Sequence, residues 1–443
     1  MKSCLLFFLS PVGLLFALSS AQVKKDGKET WGYENVRTDA YMFWWLYFST
    51  ANTSYLNQPL VMWLQGGPGA SSTGYGNFME IGPLTSNLTQ RNTSWVQDAN
   101  VLFVDNPVGT GYSYVTNKTA LANNNTAIAN DLLSFFISFL KKLPEFQKIP
   151  LYIFSESYGG KMAVTFAKTL LKAVDNQKIV CNFKGIALGD SWISPVDSVL
   201  SWAPYLYTTS LVDETGLKII NASAYEVKIA IDKANFSKAT ELWSATEDVV
   251  EKCTNNVNFY NILKKQTSAS KIEMPGFKST YLGSLYKTHV LTFQDDDLSK
   301  LMNGKIKEKL HIIPVNVTWG GQSSDVFEAL SADFMIPVTA TVEQLLNVSR
   351  LSIVVYNGQL DLIVNTLGTT TWIQKMKWLG MPSFNNATRL PITIPGDDTA
   401  GFVKYFKNFA MYWILKAGHM IPSDAGETAL KMLNMIINNG NKP

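Results

Sequence analysis

Histidine and cysteine are scarce: the 443 residues hold three of each. Zinc centres gather several Cys and His donors in one place, so this scarcity argues against a metal site. Cys4 lies in an N-terminal apolar run, which leaves Cys181 and Cys253 in the rest of the chain. In an oxidising compartment these two can pair; two buried free thiols fit the sequence about as well. Charge is also sparse. Charged residues make up 16%, the net charge is +3, and no basic run or stripe occurs. That argues against nucleic acid as a partner. After the N-terminus no segment offers 18 uninterrupted apolar residues, which argues against stable membrane insertion. Internal repeats and low-complexity tracts are missing too, so a solenoid is not expected.

What is present points the other way, to a large core. A hydrophobic content of 46% over this length suits one elaborated domain or a core with an insertion. Aromatics at 12% suit a cleft with apolar pockets. Lys2 precedes the apolar residues 5–18, and Ser19-Ser20-Ala21 supplies small residues for cleavage. Residues 1–21 read as a secretory signal peptide cut after Ala21. The run is short and contains Pro11 and Gly13, so a membrane span is the weaker reading. Ten Asn-x-Ser/Thr sequons point to the same compartment: Asn52, Asn87, Asn92, Asn117, Asn124, Asn221, Asn235, Asn316, Asn347 and Asn386. Secretion follows, with a lysosomal destination left open.

Strand and helix patterns alternate over residues 22–191 and again over 311–443, and helical patterns dominate 192–310. Strands are predicted at 41–48, 60–64, 101–105, 150–154, 184–189, 351–356 and 411–415. Helices are predicted at 126–142, from about 161, at 239–253 and at 424–437. Such alternation indicates a mainly parallel sheet covered on both faces. We expect two core parts, 22–191 and 311–443, with 192–310 as a mostly helical cap insertion. Residues 264–271 are polar and read as a loop. The Gly-rich stretch Gln65-Gly66-Gly67-Pro68-Gly69 directly follows a predicted strand. No Gly-Lys-Ser/Thr follows it and no helical pattern begins at once, so it is not a phosphate loop. Backbone N–H groups presented to an oxyanion are the alternative use.

Everything else is arranged around Tyr152-Ile153-Phe154-Ser155-Glu156-Ser157-Tyr158-Gly159-Gly160. A buried strand, a sharp turn centred on Ser157 and a following helix make a nucleophile elbow. The pattern is irregular, because Ser155 stands where Gly is usual. Asp361 and His419 follow in the order Ser…Asp…His, each just after a predicted strand. In a parallel sheet those positions share the carboxyl edge, and the order is that of the α/β-hydrolase fold. Ser157 needs a base, His419 can take and return its proton, and Asp361 can hold the imidazole. His289 lies in the helical section, and His311 lies in a strand-like run where a structural role fits better. Asp397 and Asp398 sit in a polar loop and rank below Asp361.

These residues belong to motifs that resemble the serine carboxypeptidases. The motifs are Trp63-Leu64-Gln65-Gly66-Gly67-Pro68-Gly69, Glu80-Ile81-Gly82-Pro83, Val104-Asp105-Asn106-Pro107-Val108-Gly109-Thr110-Gly111-Tyr112-Ser113, Glu156-Ser157-Tyr158-Gly159-Gly160, Asn357-Gly358-Gln359-Leu360-Asp361 with Asn365, and Ala417-Gly418-His419-Met420-Ile421-Pro422. The resemblance implies a catalytic Ser157, Asp361 and His419, and an oxyanion hole from the backbone N–H groups of Gly67 and Tyr158. It also implies that Gln65 and Glu156, with Glu80 nearby, receive the terminal carboxylate of a peptide or protein substrate. No cofactor is implied, since hydrolysis needs only protein groups and water.

Two carboxylates next to a substrate carboxylate require a proton. Placed close together, Glu80 and Glu156 do not both ionise easily, and a protonated Glu can donate to the substrate. Peptide binding is therefore expected to be better at acidic pH. Three positions depart from the wider family, which usually has Asn at Gln65, Gly at Ser155 and Asp at Gln359. The most similar subgroup shares these departures. Acyl transfer to an alcohol on the same scaffold, and a secreted binding protein with little turnover, are the competing readings.

Overall fold

The computed structural model describes residues 29–264, 296–320 and 323–438. The expected signal peptide 1–21, His289 and most of the 264–271 loop lie outside the described residues. Among these described residues, eleven strands form one sheet. In chain order they are β1 (Glu29–Arg37), β2 (Ala40–Tyr47), β3 (Leu60–Leu64), β4 (Asn100–Val104), β5 (Tyr114–Val115), β6 (Pro150–Glu156), β7 (Asn182–Gly189), β8 (Ser352–Gly358), β9 (Leu390–Ile394), β10 (Asp397–Phe406) and β11 (Phe409–Ile414). Across the sheet the order is β1-β2-β4-β3-β6-β7-β8-β11-β10-β9, with β5 on β2.

Parallel pairing is confined to the centre, from β4 through β11. The margins are antiparallel. The central strands are buried on both faces, as continuous apolar runs require. In β2, Met42, Trp44 and Leu46 enter one core, while Phe43, Trp45 and Tyr47 enter the other. Helices α1 (Asn125–Lys142) and α2 (Tyr158–Asp175) cover the first face with Ile128, Phe135, Met162 and Phe166. The C-terminal helix Gly426–Ile437 covers the second with Met432, Leu433 and Ile436.

Between β7 and β8 the described residues hold helices and no strand. They include α3 (Pro195–Thr208), α4 (Glu214–Asp232) and α5 (Phe236–Thr254). Their caps follow the sequence: Asp213 accepts from the Gly216 N–H, and Asn235 from the Lys238 N–H.

Three local expectations are corrected. A ten-residue π-helix, Ser72–Ile81, does follow the Gly-rich loop. Its wide turns do not repeat every 3.6 residues, and Gly74 and Gly76 further blur the pattern. His311 is not in a strand: it ends the short helix Lys307–Leu310 with φ 56° and is exposed. The apolar residue there, Leu310, is buried as a helix end instead. Asp397 and Asp398 begin β10 rather than lying in a loop, and Asp397 pairs with Lys416 at 2.6 Å. Alternation in that edge hairpin is masked by its polar, exposed start.

Candidate active site

Ser157 sits between the last residue of β6 and the first residue of α2. Its backbone is in the left-handed half of conformational space, φ 58° and ψ −129°. A non-Gly residue there costs on the order of 1–3 kcal/mol, so the surroundings must hold it. They do so through hydrogen bonds from the Ser157 N–H to the Gly189 carbonyl (3.0 Å) and from the Trp192 N–H to the Ser157 carbonyl (2.9 Å). They also do so by close packing. A Cβ on Gly159 would lie 2.4 Å from the Leu64 carbonyl oxygen, and one on Gly66 would lie 2.5 Å from Ser157 Cβ. The irregular Ser155 is accommodated: its Oγ donates to the Ala187 carbonyl of β7 at 3.2 Å.

Asp361 and His419 reach the same edge from the ends of β8 and β11, which continue the parallel run β6-β7-β8-β11. His419 Nδ1 is 2.8 Å from Asp361 Oδ2, and both side chains are buried. The Val364 N–H donates to Asp361 Oδ1 at 3.3 Å. The His419 loop is pinned by its own N–H, which donates to the Tyr260 carbonyl at 2.7 Å, and by the Tyr260 ring, packed edge-on with its centroid 5.2 Å from that of the imidazole. Ser157, His419, Glu156, Gln65 and Gly67 line one cleft. With Nδ1 bonded to Asp361, proton transfer falls to Nε2. The Gly66-Gly67 loop faces the first N–H of α2: a Cβ on Gly66 would lie 3.1 Å from the Tyr158 nitrogen. A helix N-terminus offers donors and a positive end to developing negative charge.

The three predicted carboxylate-binding residues come together as one buried cluster. Gln65 Nε2 donates to Glu80 Oε1 at 2.9 Å and to Glu156 Oε1 at 2.8 Å. Trp63 Nε1 donates to Gln65 Oε1 at 2.6 Å. An indole N–H only donates, so it fixes the amide with its NH₂ toward both carboxyls. Glu156 lines the cleft, with Glu80 behind it. Burial, above all, pushes Glu80 up to about 7. Burial first, and then the charges of Glu80, Asp190 and Asp361, push Glu156 well above the usual carboxylate range.

A second buried network ties α2 to the last two residues of the helix Ser331–Phe334. Lys161 Nζ donates to the Asp333 carbonyl (2.6 Å), to the Phe334 carbonyl (3.1 Å) and to Asp333 Oδ2 (3.1 Å). The Tyr158 hydroxyl donates to Asp333 Oδ2 at 2.7 Å. Phe334, Trp192 and Trp243 form an aromatic wall of the cleft, with Trp243 and Phe334 centroids 4.6 Å apart. Lys161→Met would remove the donor and leave Asp333 buried without its cation. The expected loss is about 3–5 kcal/mol of unfolding free energy. Equilibrium urea unfolding measures it, and a change below about 1 kcal/mol would show the pair to be inert.

Sequence reasoning missed Trp63, Asp190, Tyr260 and the aromatic wall. Asp190 carried a readable signal, since it follows β7 at the carboxyl edge. Trp63 looked like ordinary core, and Tyr260 comes from a region without a motif. Cys181 and Cys253 are both free thiols, so the pairing left open is not made. Burial pushes the Cys181 thiol up to about 12, which makes it a poor nucleophile.

A family model for serine carboxypeptidases matches residues 20–439. The chain belongs to that family. Membership makes it a serine-type carboxypeptidase, a hydrolase on an α/β-hydrolase fold. It is 50% identical over 431 residues to the human retinoid-inducible serine carboxypeptidase, covering 96% of this chain and 95% of the relative. It is 41% identical to the serine carboxypeptidase-like 51 protein of Arabidopsis thaliana, covering 94% and 93% of the two chains. Among solved structures, the prohormone-processing carboxypeptidase Kex1(delta)p of Saccharomyces cerevisiae superposes with a TM-score of 0.75. That match covers 93% of this chain and 91% of the other at 22% identity, so it speaks to the fold alone. No helix among the described residues is long and apolar enough to cross a membrane.

Proposed function

We propose that this carboxypeptidase removes C-terminal residues from peptides or proteins in the secretory pathway, most effectively at acidic pH. Ser157 attacks the last peptide carbonyl while His419 takes the Oγ proton. Asp361 holds the imidazole and stabilises its cation. The Gly67 and Tyr158 N–H groups receive the oxyanion. The C–N bond then breaks, His419 returns the proton to the leaving amine, and an acyl-enzyme on Ser157 remains. Water, deprotonated by His419, hydrolyses that ester and restores Ser157. Glu156 donates to the substrate carboxylate, backed by Glu80 and oriented by Gln65. The described residues of the 192–310 stretch act as a cap over the cleft, and Trp243 and Tyr260 from it line the cleft.

The observation that carries this reading is the Gln65–Glu80–Glu156 cluster, which presents Gln65 and Glu156 to the cleft beside Ser157. A protonated carboxyl pair next to a nucleophile suits a ligand that is itself a carboxylate. The test compares peptides with free and with amidated C-termini. The free form is expected to show kcat/KM about 10–100-fold higher, the worth of one hydrogen bond to a charged group. Equal cleavage of both would remove the exopeptidase reading. For the compartment, all ten sequon asparagines are exposed, which supports glycosylation alongside the expected signal peptide. The acid preference suits a lysosomal setting.

A further inference from the structure

We infer that Asp190 is a positioning residue for Asp361, its carboxyl O–H donating a hydrogen bond to the Asp361 carboxylate from behind the His419 pair. The inference rests on the proposed roles of Asp361 and His419. Asp190 follows β7 and is buried, with its backbone at φ 40°. Its N–H donates to the Tyr356 carbonyl at 2.9 Å, which fixes the chain at the carboxyl edge. Asp190, Asp361 and His419 each place one atom within 4.8 Å of the others.

The hydrogen bonds of Asp190 say which oxygen carries the proton. Oδ1 accepts from the Asn357 side-chain amide and from the Gly358 N–H at 2.8 Å. Oδ2 is buried, and no donor among the described residues reaches it. An ionised carboxylate would leave that oxygen bare in a site that already holds Asp361 and Glu156. A carboxylic acid would not: Oδ2–H becomes a donor, and Asp361 is the acceptor beside it. Burial, above all, together with the Asp361 charge, pushes the Asp190 carboxyl well above its ordinary range; His419 and the Gly358 N–H oppose this. Tyr356 also faces it, without titrating in the working range because burial pushes its phenol up. Asp361 then accepts from His419, from Asp190 and from backbone N–H groups at once. Its carboxylate plane is set, and with it the His419 tautomer.

The test uses the full-length secreted enzyme with a free-C-terminus peptide, in Asp190→Asn and Asp190→Ala forms. Asn keeps a donor without a charge, so Asp190→Asn is expected to retain kcat within about threefold. Asp190→Ala is expected to lose about 10–100-fold in kcat with KM within twofold. The downfield Nδ1–H proton resonance that disappears in His419→Ala should persist in Asp190→Asn and move or vanish in Asp190→Ala. An unchanged kcat in Asp190→Ala overturns the inference. So does an Asn variant as impaired as the Ala variant, since the charge would then be what matters. Should Asp190→Ala fail to fold, the Asn variant still decides. A neutral Asp190 leaves the acid limb of its kcat profile in place, whereas removal of a real charge would shift that limb downward by a pH unit or more. Wild-type enzyme that neither turns over nor takes a fluorophosphonate label would instead sink the proposed triad itself.

Discussion

Ser157→Ala is expected to lower kcat by about 10⁶-fold, leaving a folded protein with peptide binding intact. The strained turn at Ser157 is held by hydrogen bonds from its neighbours and by glycines that tolerate no side chain, not by its own Oγ. Removing Oγ therefore takes away chemistry and not architecture. His419→Ala should cost a similar factor, because an unactivated hydroxyl is a poor nucleophile. Asp361→Asn should cost about 10⁴-fold by favouring the wrong imidazole tautomer. The three act as a unit, so Ser157→Ala combined with His419→Ala should be no worse than either alone. Steady-state kinetics on purified variants, with fluorophosphonate labelling of the same samples, measures all of this. A Ser157→Ala protein within tenfold of wild type would mean that another group is the nucleophile.

The elbow could be read from the chain because each of its parts is local. An apolar run, a small-residue turn and an amphipathic helix are adjacent, and only the joins were misplaced. Strand β6 extends through Glu156, and α2 begins at Tyr158 rather than near Lys161. The reason is that a nucleophile elbow needs a single turning residue, with no loop on either side. Ser155, the odd letter in the motif, fits because β7 offers it a carbonyl acceptor, a fact that lies 32 residues away in sequence. The central sheet was legible from its continuous apolar runs. The β9–β10 margin was not, since those two strands alternate weakly and are only partly buried.

Gln65 shows a deeper limit. A motif places it beside the substrate's end, and residue type alone makes it a donor to the substrate carboxylate. What the motif does not carry is that its amide donates to Glu80 and Glu156, in an orientation that Trp63 locks. Its added length over Asn is what such a bridge uses. Asp190, Trp63 and Tyr260 act through other residues, and no local pattern encodes a contact between β7, β8 and a helical segment.

Peptide turnover should fall as pH rises through about 7, and the Glu80–Glu156 pair is the cause. Below that value both carboxyls are neutral, which leaves Glu156 the proton that its proposed donation to the substrate requires. As Glu80 ionises, negative charge accumulates beside a ligand of the same sign. Hydrogen bonds with Glu156 and Gln65, and then the charges of His419 and Arg91, pull Glu80 down, but burial outweighs them. A requirement for one proton lowers kcat/KM by up to about tenfold per pH unit, or about 10²-fold by pH 9. The change should appear in KM, and Glu80→Gln with Glu156→Gln should abolish it, leaving only the rise due to His419. Stability follows the same protons. Between the ordinary carboxyl value of 4.5 and about 7 the folded state holds more protons than the unfolded chain. Unfolding free energy therefore declines as pH rises through that window, and the double variant should flatten that decline. A wild-type kcat/KM that climbs steadily from pH 5 to 8 would remove the protonated pair from the mechanism. An unchanged alkaline fall in the double variant would move its origin to another group.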